Sequence, residues 1–176
     1  GWSPSKRNGK FANGGWVTEI GEEEWLAYKS HGALAGLAFQ KDIEHKAFEM
    51  GGGDFKVPAQ NLTDLLANKK SEQLNSCSYH PGLTSVNLNT LYPETVSHRL
   101  REGLRAMTKK LKGFDSDMAI ITAPESRTSA PVRIPRTKEM CHVQLSNLYP
   151  CGEGAGYAGG IISAALDGVR VVKAIH

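Results

Sequence analysis

The chain has 176 residues, of which 40% are hydrophobic and 22% charged, and this balance excludes a disordered chain, a coiled coil and a collagen-like fibre. No run approaches the roughly 20 apolar residues that a membrane helix needs, so we expect no membrane span. The formal net charge of +3 is dispersed along the chain and is too small to predict nucleic-acid binding.

The first half of the chain alternates short polar stretches with helical periodicity. Its predicted elements are a strand at 16–20, a helix opening at 22–24, a helical period from 34 to 50, an extended stretch at 54–59, a helix at 62–69 and a loop with little strand at 71–90. The glycine run Gly51–Gly53 ends the longer helix, and Asn61 is placed to cap the helix that follows it.

The second half contains the clearest helix. Val96, Leu100, Leu104, Met107 and Leu111 recur at helical spacing, which predicts an amphipathic helix from Pro93 to Lys112 with a solvated basic face. The elements predicted after it are a buried strand at 118–123, an edge strand at 132–134, a short strand at 148–151 and an apolar helix at 159–174. Together the patterns predict a mixed α and β fold, with about four helices packed on a small sheet.

Glycine is the compositional anomaly, with 19 in the chain against a usual share of about 7%. Five of them lie within nine positions: Gly152, Gly154, Gly156, Gly159 and Gly160. Between a strand and a helix, such a cluster aims backbone N–H groups and the positive helix end at an anion. The spacing from Gly154 to Gly159 matches the dinucleotide pattern GxGxxG, but no strand follows it and no acidic residue lies about 20 positions further on, so a structural turn stays an alternative.

The glycine cluster also resembles known flavoprotein segments. Residues 149–160 resemble the C-terminal signature of the NAD(FAD)-utilising dehydrogenase family. Gly152-Glu153-Gly154 followed by Gly159-Gly160 is similar to the last flavin-contacting segment of flavoproteins with two dinucleotide-binding domains. Three further stretches resemble other parts of the dehydrogenase family, namely residues 3–13, 51–60 and 125–134.

This resemblance implies FAD as the cofactor and, in the intact protein, NAD(P) as an electron donor. It implies cofactor-binding roles for Gly152, Glu153, Gly154, Gly159, Gly160 and Ile161. Glu153 would accept hydrogen bonds from the ribityl hydroxyls or lie near the pyrophosphate. Gly152 and Gly154 would let the backbone approach the cofactor, and Gly159 and Gly160 would present helix N–H groups near the polar edge of the flavin.

The resemblance also implies a division of the chain. Flavoproteins of this kind bind the ADP half of FAD with an N-terminal strand, a GxGxxG turn and a helix, and nothing before Gly51 has that form. We therefore expect a C-terminal fragment of a longer FAD-dependent oxidoreductase. Residues 1–140 would form a cap or substrate-side region and residues 141–176 the last FAD-contacting strand, loop and helix, completed by an N-terminal FAD-binding half of the same chain.

Arg127, Arg133 and Arg136 form a second candidate site, because guanidinium groups hold anionic substrates in a fixed orientation. We expect substrate contacts from Arg127, Arg133 and Gln60, with surface or structural roles as the alternative. The substrate and the catalytic residue stay unknown. The histidines lack metal-ligand spacing, so no metal site is predicted.

Three cysteines without CxxC spacing favour a reducing, cytoplasmic setting over a disulfide framework. A different class of function stays open, a non-catalytic binding or interaction domain whose glycine-rich loop is structural or grips a phosphate. The C-terminal helix is apolar nearly all round, so we expect an exposed apolar patch in the isolated chain and a homodimer formed through it.

Overall fold

The structure, a computed structural model, describes residue 6 and residues 8–175. Ser3, Pro4 and Ser5, which carry part of one family resemblance, lie outside the described residues. The mixed α and β fold is confirmed, with helices packed on a small three-stranded mixed sheet. The helices are α1 (Glu22–Trp25), α2 (Ala35–Gly51), α3 (Leu62–Leu66), α4 (Glu94–Lys110) and α5 (Ile161–Ile175), and the strands are β1 (Val57–Asn61), β2 (Leu83–Ser85) and β3 (Ile120–Thr122).

The sheet has the strand order β2-β1-β3, with β1 in the centre. β1 runs parallel to β2, with Val57 opposite Leu83, and antiparallel to β3, with Ala59 opposite Thr122. Three consecutive residues of β1 are buried, because its two faces are both covered. The second half of the 71–90 loop therefore supplies one sheet edge.

Helix α4 confirms the predicted amphipathic pattern. Val96 and Leu104 are buried, and the basic face points outward. Its arginines are not simply solvated, since Arg99 pairs with Glu24 and Arg101 with Glu94 and the side chain of Asn89. The basic face of α4 therefore also fastens neighbouring segments.

Asn61 lies at the cap position of α3, as predicted, but its side chain does not cap the helix. Its Oδ1 accepts from the backbone N–H of Asn75, and its Nδ2 donates to the carbonyl oxygen of Gln73. The side chain thus ties the 71–90 loop to the end of β1, a long-range contact that a local capping pattern does not reveal.

Three predicted strands are wrong, among the described residues. Residues 16–20 have no ladder partner, residues 132–134 make only single contacts to a loop, and residues 148–151 precede the glycine cluster as irregular chain. The C-terminal strand expected of a dinucleotide-binding layer is therefore missing from the described part, while the glycine loop and α5 that should follow it are present.

The chain divides into two compact units. The first comprises Gly1–Leu26 with Lys41–Ser126 and contains the sheet, α3 and α4. The second comprises Ala27–Gln40 with Arg127–His176 and contains the glycine cluster and α5. A search of the described helices finds none that is long and apolar enough to cross a membrane.

Candidate functional site

The glycine loop, residues 152–160, closes on itself through nested turns. The N–H of Tyr157 donates to the carbonyl oxygen of Gly152 at 3.0 Å, and the N–H of Gly156 donates to that of Glu153 at 2.8 Å. Gly152 and Gly156 have φ angles of 68° and 80°, in the left-handed region that favours glycine. These two glycines therefore shape the loop itself.

The loop packs against the segment that carries the predicted arginines. A Cβ atom at Gly156 would lie 2.6 Å from the carbonyl oxygen of Val132. The N–H of Ile134 donates to Ala155 at 3.1 Å, and the hydroxyl of Tyr157 donates back to Ile134 at 3.0 Å. The structure thus brings the glycine cluster and residues 132–136 together into one site.

A buried ion pair lies beneath the loop. The guanidinium of Arg136 donates to both carboxylate oxygens of Asp167 in α5, at 2.7 and 2.8 Å. The same carboxylate accepts from the backbone N–H of Gly152 at 2.9 Å. Arg136 also donates to the carbonyl oxygen of Pro150 at 2.8 Å. Both side chains are nearly inaccessible to solvent, so every polar atom of the pair needs these partners.

The pair also shifts the titration of both groups. Hydrogen bonds from the Arg136 side chain lower the pKa of Asp167 to about 2, helped by the N–H of Gly152 and opposed by burial. The hydrogen bonds to Asp167 raise the pKa of Arg136 above its ordinary value. The two side chains are therefore charged across the whole physiological range.

Two guanidinium groups share the ring of Tyr157. Arg136 lies 3.7 Å and Arg133 lies 4.4 Å from the ring centroid, both within the range of cation–π attraction. Arg133 is exposed and, within the described part of the chain, has no carboxylate partner. Its charge is consequently available to an anion that approaches the loop.

The remaining loop residues form an open rim. Gly154 and Gly159 are exposed, their φ angles lie outside the left-handed region, and a Cβ atom at either would meet nothing within 4 Å. Glu153 is half-buried, and its carboxylate has no hydrogen bond or ion pair to any described residue. Nothing in the described chain therefore requires glycine at positions 154 and 159.

The predicted residues at the start of α5 are more exposed than the loop below them. The N–H of Gly160 donates to the hydroxyl of Ser163 at 3.1 Å, and the side chain of Ile161 is 90% exposed. The N–H groups of the first helical residues have no acceptor within the helix, as at every helix N-terminus. This end of α5 thus faces outward beside the rim.

Of the predicted cofactor-binding residues, Gly152 differs from the others. It is buried, and its N–H is already occupied by Asp167. Its contacts favour a role in shaping the loop over direct contact with a ligand. Glu153, Gly154, Gly159, Gly160 and Ile161 remain on the accessible side.

The predicted substrate contacts are not all brought together. Arg133 belongs to the site, and Arg127 is an exposed residue of the same unit. Gln60 lies in the other unit and is fully buried, with its Nε2 donating to the carbonyl oxygen of Lys69 and its Oε1 accepting from the N–H of Leu88. These contacts favour a structural role for Gln60.

Sequence reasoning missed Asp167 and the buried role of Arg136. Part of the signal was present, because Asp167 is the only carboxylate in a mainly apolar helix, and a buried charge demands a partner. The described residues contain no cluster of three or more His, Cys, Asp or Glu side chains that could hold a metal ion.

Comparison with known proteins assigns the chain to a family. The family model described as "FAD-dependent protein, C-terminal domain-like" matches residues 1–128. A protein of Clostridium beijerinckii (strain ATCC 51743 / NCIMB 8052), described as an uncharacterized protein, is 39% identical over 177 residues, which cover 99% of this chain and 33% of the relative. The chain belongs to the family of C-terminal domains of FAD-dependent proteins. It spans about a third of the length of this relative, and the similarity includes the glycine loop, which the family model does not reach.

The exposed side of the loop fits part of an FAD molecule. Open space above Gly154 and Gly159 leaves room for a close approach of another group to the backbone. The unpaired carboxylate of Glu153 suits hydroxyl donors, whereas Arg133 and the N-terminal end of α5 suit a phosphate.

Proposed function

We propose that this chain is the C-terminal part of a longer FAD-dependent oxidoreductase, a dehydrogenase of the NAD(FAD)-utilising kind that acts in the cytoplasm on a small molecule. The observation that carries the proposal is the pair Gly154 and Gly159, where neither φ nor packing within the described chain explains the missing side chain. A cofactor that lies against the backbone explains it. The family match and the length of the relative support the same assignment.

Each accessible residue has a role in this proposal. Glu153 accepts hydrogen bonds from ribityl hydroxyls or lies beside the pyrophosphate, and Gly154 and Gly159 let the backbone approach the cofactor. Gly160 and Ile161 bring the positive end of α5 towards its polar edge. When bound, FAD supplies the redox chemistry, and this chain supplies orientation and electrostatics. The descriptions of the matching family and of the relative do not mention NAD(P), so the electron donor stays a prediction from the resemblance.

The N-terminal FAD-binding half of the longer, full-length protein is the proposed partner of α5. Ile161, Ile162, Leu166, Val169, Val172 and Ile175 form an apolar face of α5 that is exposed in the structure. A contiguous apolar face of this kind marks an interface. In the isolated chain the same face would pair with a second copy, giving a homodimer.

The arginines define the proposed substrate side. Arg133 lies beside the loop, over the ring of Tyr157, and Arg127 is an exposed residue six positions before it. In this proposal the two guanidinium groups hold an anionic substrate or the polar edge of the flavin. In the full-length protein we expect Arg133→Lys and Arg127→Lys to weaken substrate or flavin binding about 10- to 100-fold, because a lysine cannot reproduce the guanidinium fork. Wild-type binding in both variants would show that the two arginines have only a surface or structural role.

The central experiment compares flavin retention in full-length variants. Glu153→Ala removes the free carboxylate, and Gly154→Ala adds a methyl group in the proposed path of the cofactor. Both should lower the ratio of bound FAD to protein after gel filtration while the melting temperature stays unchanged. Glu23→Ala, an exposed acid in α1, is the matched control and should retain wild-type FAD.

The outcome separates the two classes of function. A full-length protein that is yellow and loses FAD in the two loop variants supports the oxidoreductase. A colourless full-length protein, or loop variants that keep a wild-type ratio of FAD to protein, favours a non-catalytic binding domain whose loop is structural.

A further inference from the structure

Asp167 is the one carboxylate of α5, and it is buried on the face opposite the exposed apolar residues. A buried carboxylate requires compensating donors. It has three: two from the guanidinium of Arg136 and one from the backbone N–H of Gly152. Two of these donors, on Arg136 Nη1 and Gly152, converge on the same oxygen, Oδ2.

Arg136 extends this contact to residues on either side of the nested turns. Its Nη1 donates to the carbonyl oxygen of Pro150, two residues before the loop glycine Gly152, and its guanidinium lies against the ring of Tyr157. The pair therefore contacts the loop where it begins and where its nested turns close. It leaves the rim between those points, at Glu153 and Gly154, without a direct contact.

We propose that Asp167 and Arg136 are positioning residues that hold the glycine loop in its cofactor-binding shape before the cofactor arrives. This inference rests on the proposed function of the loop. A loop with glycine at four of its first eight positions has many accessible backbone conformations. Fixing one of them in advance removes an entropic cost that the cofactor would otherwise meet on binding.

The alternative is that the pair serves stability alone. Burial of an ion pair is a poor route to stability, since apolar residues of similar volume often stabilise a protein equally well. An apolar pair could not orient the N–H of Gly152, the carbonyl of Pro150 and the ring of Tyr157 together. The number of loop groups that the pair contacts thus favours positioning.

The experiment uses the full-length protein stripped of flavin and titrated with FAD, followed by flavin fluorescence. Asp167→Asn keeps the size of the side chain but places an amide NH₂ among donors. Arg136→Lys keeps the charge but loses the fork and the ring contact. We expect each to weaken FAD binding at least tenfold. In the flavin-free protein, amide hydrogen exchange of Gly152–Tyr157 should become faster while that of α4 is unchanged.

Val171→Ala is the matched control. Val171 lies one turn after Asp167 on the same buried face of α5, and its removal lowers stability without deleting a hydrogen bond of the loop. This variant should bind FAD within about threefold of wild type. If Asp167→Asn does not fold, Arg136→Lys decides the question.

The results distinguish the positioning role from the cofactor-binding function on which it rests. Wild-type FAD affinity in both Asp167→Asn and Arg136→Lys, or an equal loss in Val171→Ala, overturns the positioning role while a loss in Glu153→Ala still upholds the cofactor site. A full-length protein that binds no FAD overturns both.

Discussion

Trp16 lies against Gly103 of α4 so closely that a Cβ atom at position 103 would stand 2.8 Å from Cζ2 of the indole ring. The indole Nε1 donates to the carbonyl oxygen of Leu100 at 3.3 Å. Arg99, on the same helix, donates to the carbonyl of Glu19 and pairs with Glu24. The segment before α1 is therefore held on α4 by side chains, without strand pairing.

Gly103→Ala tests this contact. Alanine normally stabilises a helix interior by about 1 kcal/mol over glycine. Here the methyl group would displace Trp16, so we expect a net loss of about 1–2 kcal/mol in the free energy of unfolding and a change in tryptophan fluorescence. Denaturant titration of the 176-residue chain measures both. Gly168→Ala in α5, where a Cβ atom meets nothing within 4 Å, should instead be neutral or stabilising. Stabilisation by Gly103→Ala would contradict the packing of Trp16.

The two kinds of loop glycine should respond differently to alanine. Gly156→Ala places a Cβ atom 2.6 Å from the carbonyl of Val132 at a φ of 80°, and we expect a loss of about 2–4 kcal/mol. Gly154→Ala meets open space, so its stability should stay within about 0.5 kcal/mol of wild type. Equal effects of both substitutions on the thermal unfolding of the isolated chain would refute this distinction.

Acid should lower the free energy of unfolding by protonating Asp167. The pKa of this carboxyl is about 2 in the folded chain, against about 3.9 when unfolded. A depressed folded pKa stabilises the fold above the unfolded pKa, and this contribution is lost as the pH falls towards 2. Between pH 5 and pH 2 the wild type should therefore lose about 2 kcal/mol more than Asp167→Asn. Other carboxylates titrate in both proteins, so parallel pH profiles would contradict the assignment.

Gln60 provides a test of structure against function. Gln60→Leu would leave the buried N–H of Leu88 and the carbonyl of Lys69 without their side-chain partner, which should cost about 2–4 kcal/mol. Gln73→Leu, at an exposed side chain, should change the free energy of unfolding by less than about 0.5 kcal/mol. A stable Gln60→Leu protein that loses substrate binding would restore the predicted substrate role.

The isolated 176-residue chain should bind FAD weakly or not at all. Its loop offers one rim of contacts, and no stretch before Gly51 has the form of an ADP-binding strand, GxGxxG turn and helix. Isothermal titration with FAD measures this directly. Sub-micromolar affinity would refute the division of the cofactor site between this chain and an upstream half.

Periodicity predicted the elements that carry their own pattern. The amphipathic repeat of α4, the apolar run of α5 and the apolar run around β3 all correspond to observed elements. The strand at 118–123 was predicted to be buried, and this is wrong: β3 is an edge strand without a buried residue, because it pairs with β1 on one side only. Residues 132–134 and 148–151 have strand-like composition, but they contact a loop through single hydrogen bonds. A strand needs a partner ladder, which local sequence does not specify.

The candidate site was predictable in part for the same reason. Clustered glycine marked the loop, because its backbone requirement is local. The pairing of Arg136 with Asp167, 31 positions apart, depends on how the chain returns on itself. The sequence indicated only that Asp167, the one carboxylate of α5, required a partner if buried, and Arg170 on the same helix was a nearer candidate than Arg136.

The interleaving of the two units has a consequence for synthesis on the ribosome. Residues 27–40 belong to the second unit, yet all of 41–126 must be translated before residues 127–176 can complete it. Ala35 and Phe39 are buried in the finished chain and emerge early. A premature stop codon between residues 40 and 127 would leave residues 27–40 without the second stretch of their unit. The truncated product would expose apolar surface to chaperones and proteases. A fragment of this chain should therefore contain both stretches of a unit, since a single cut inside residues 41–126 divides both units.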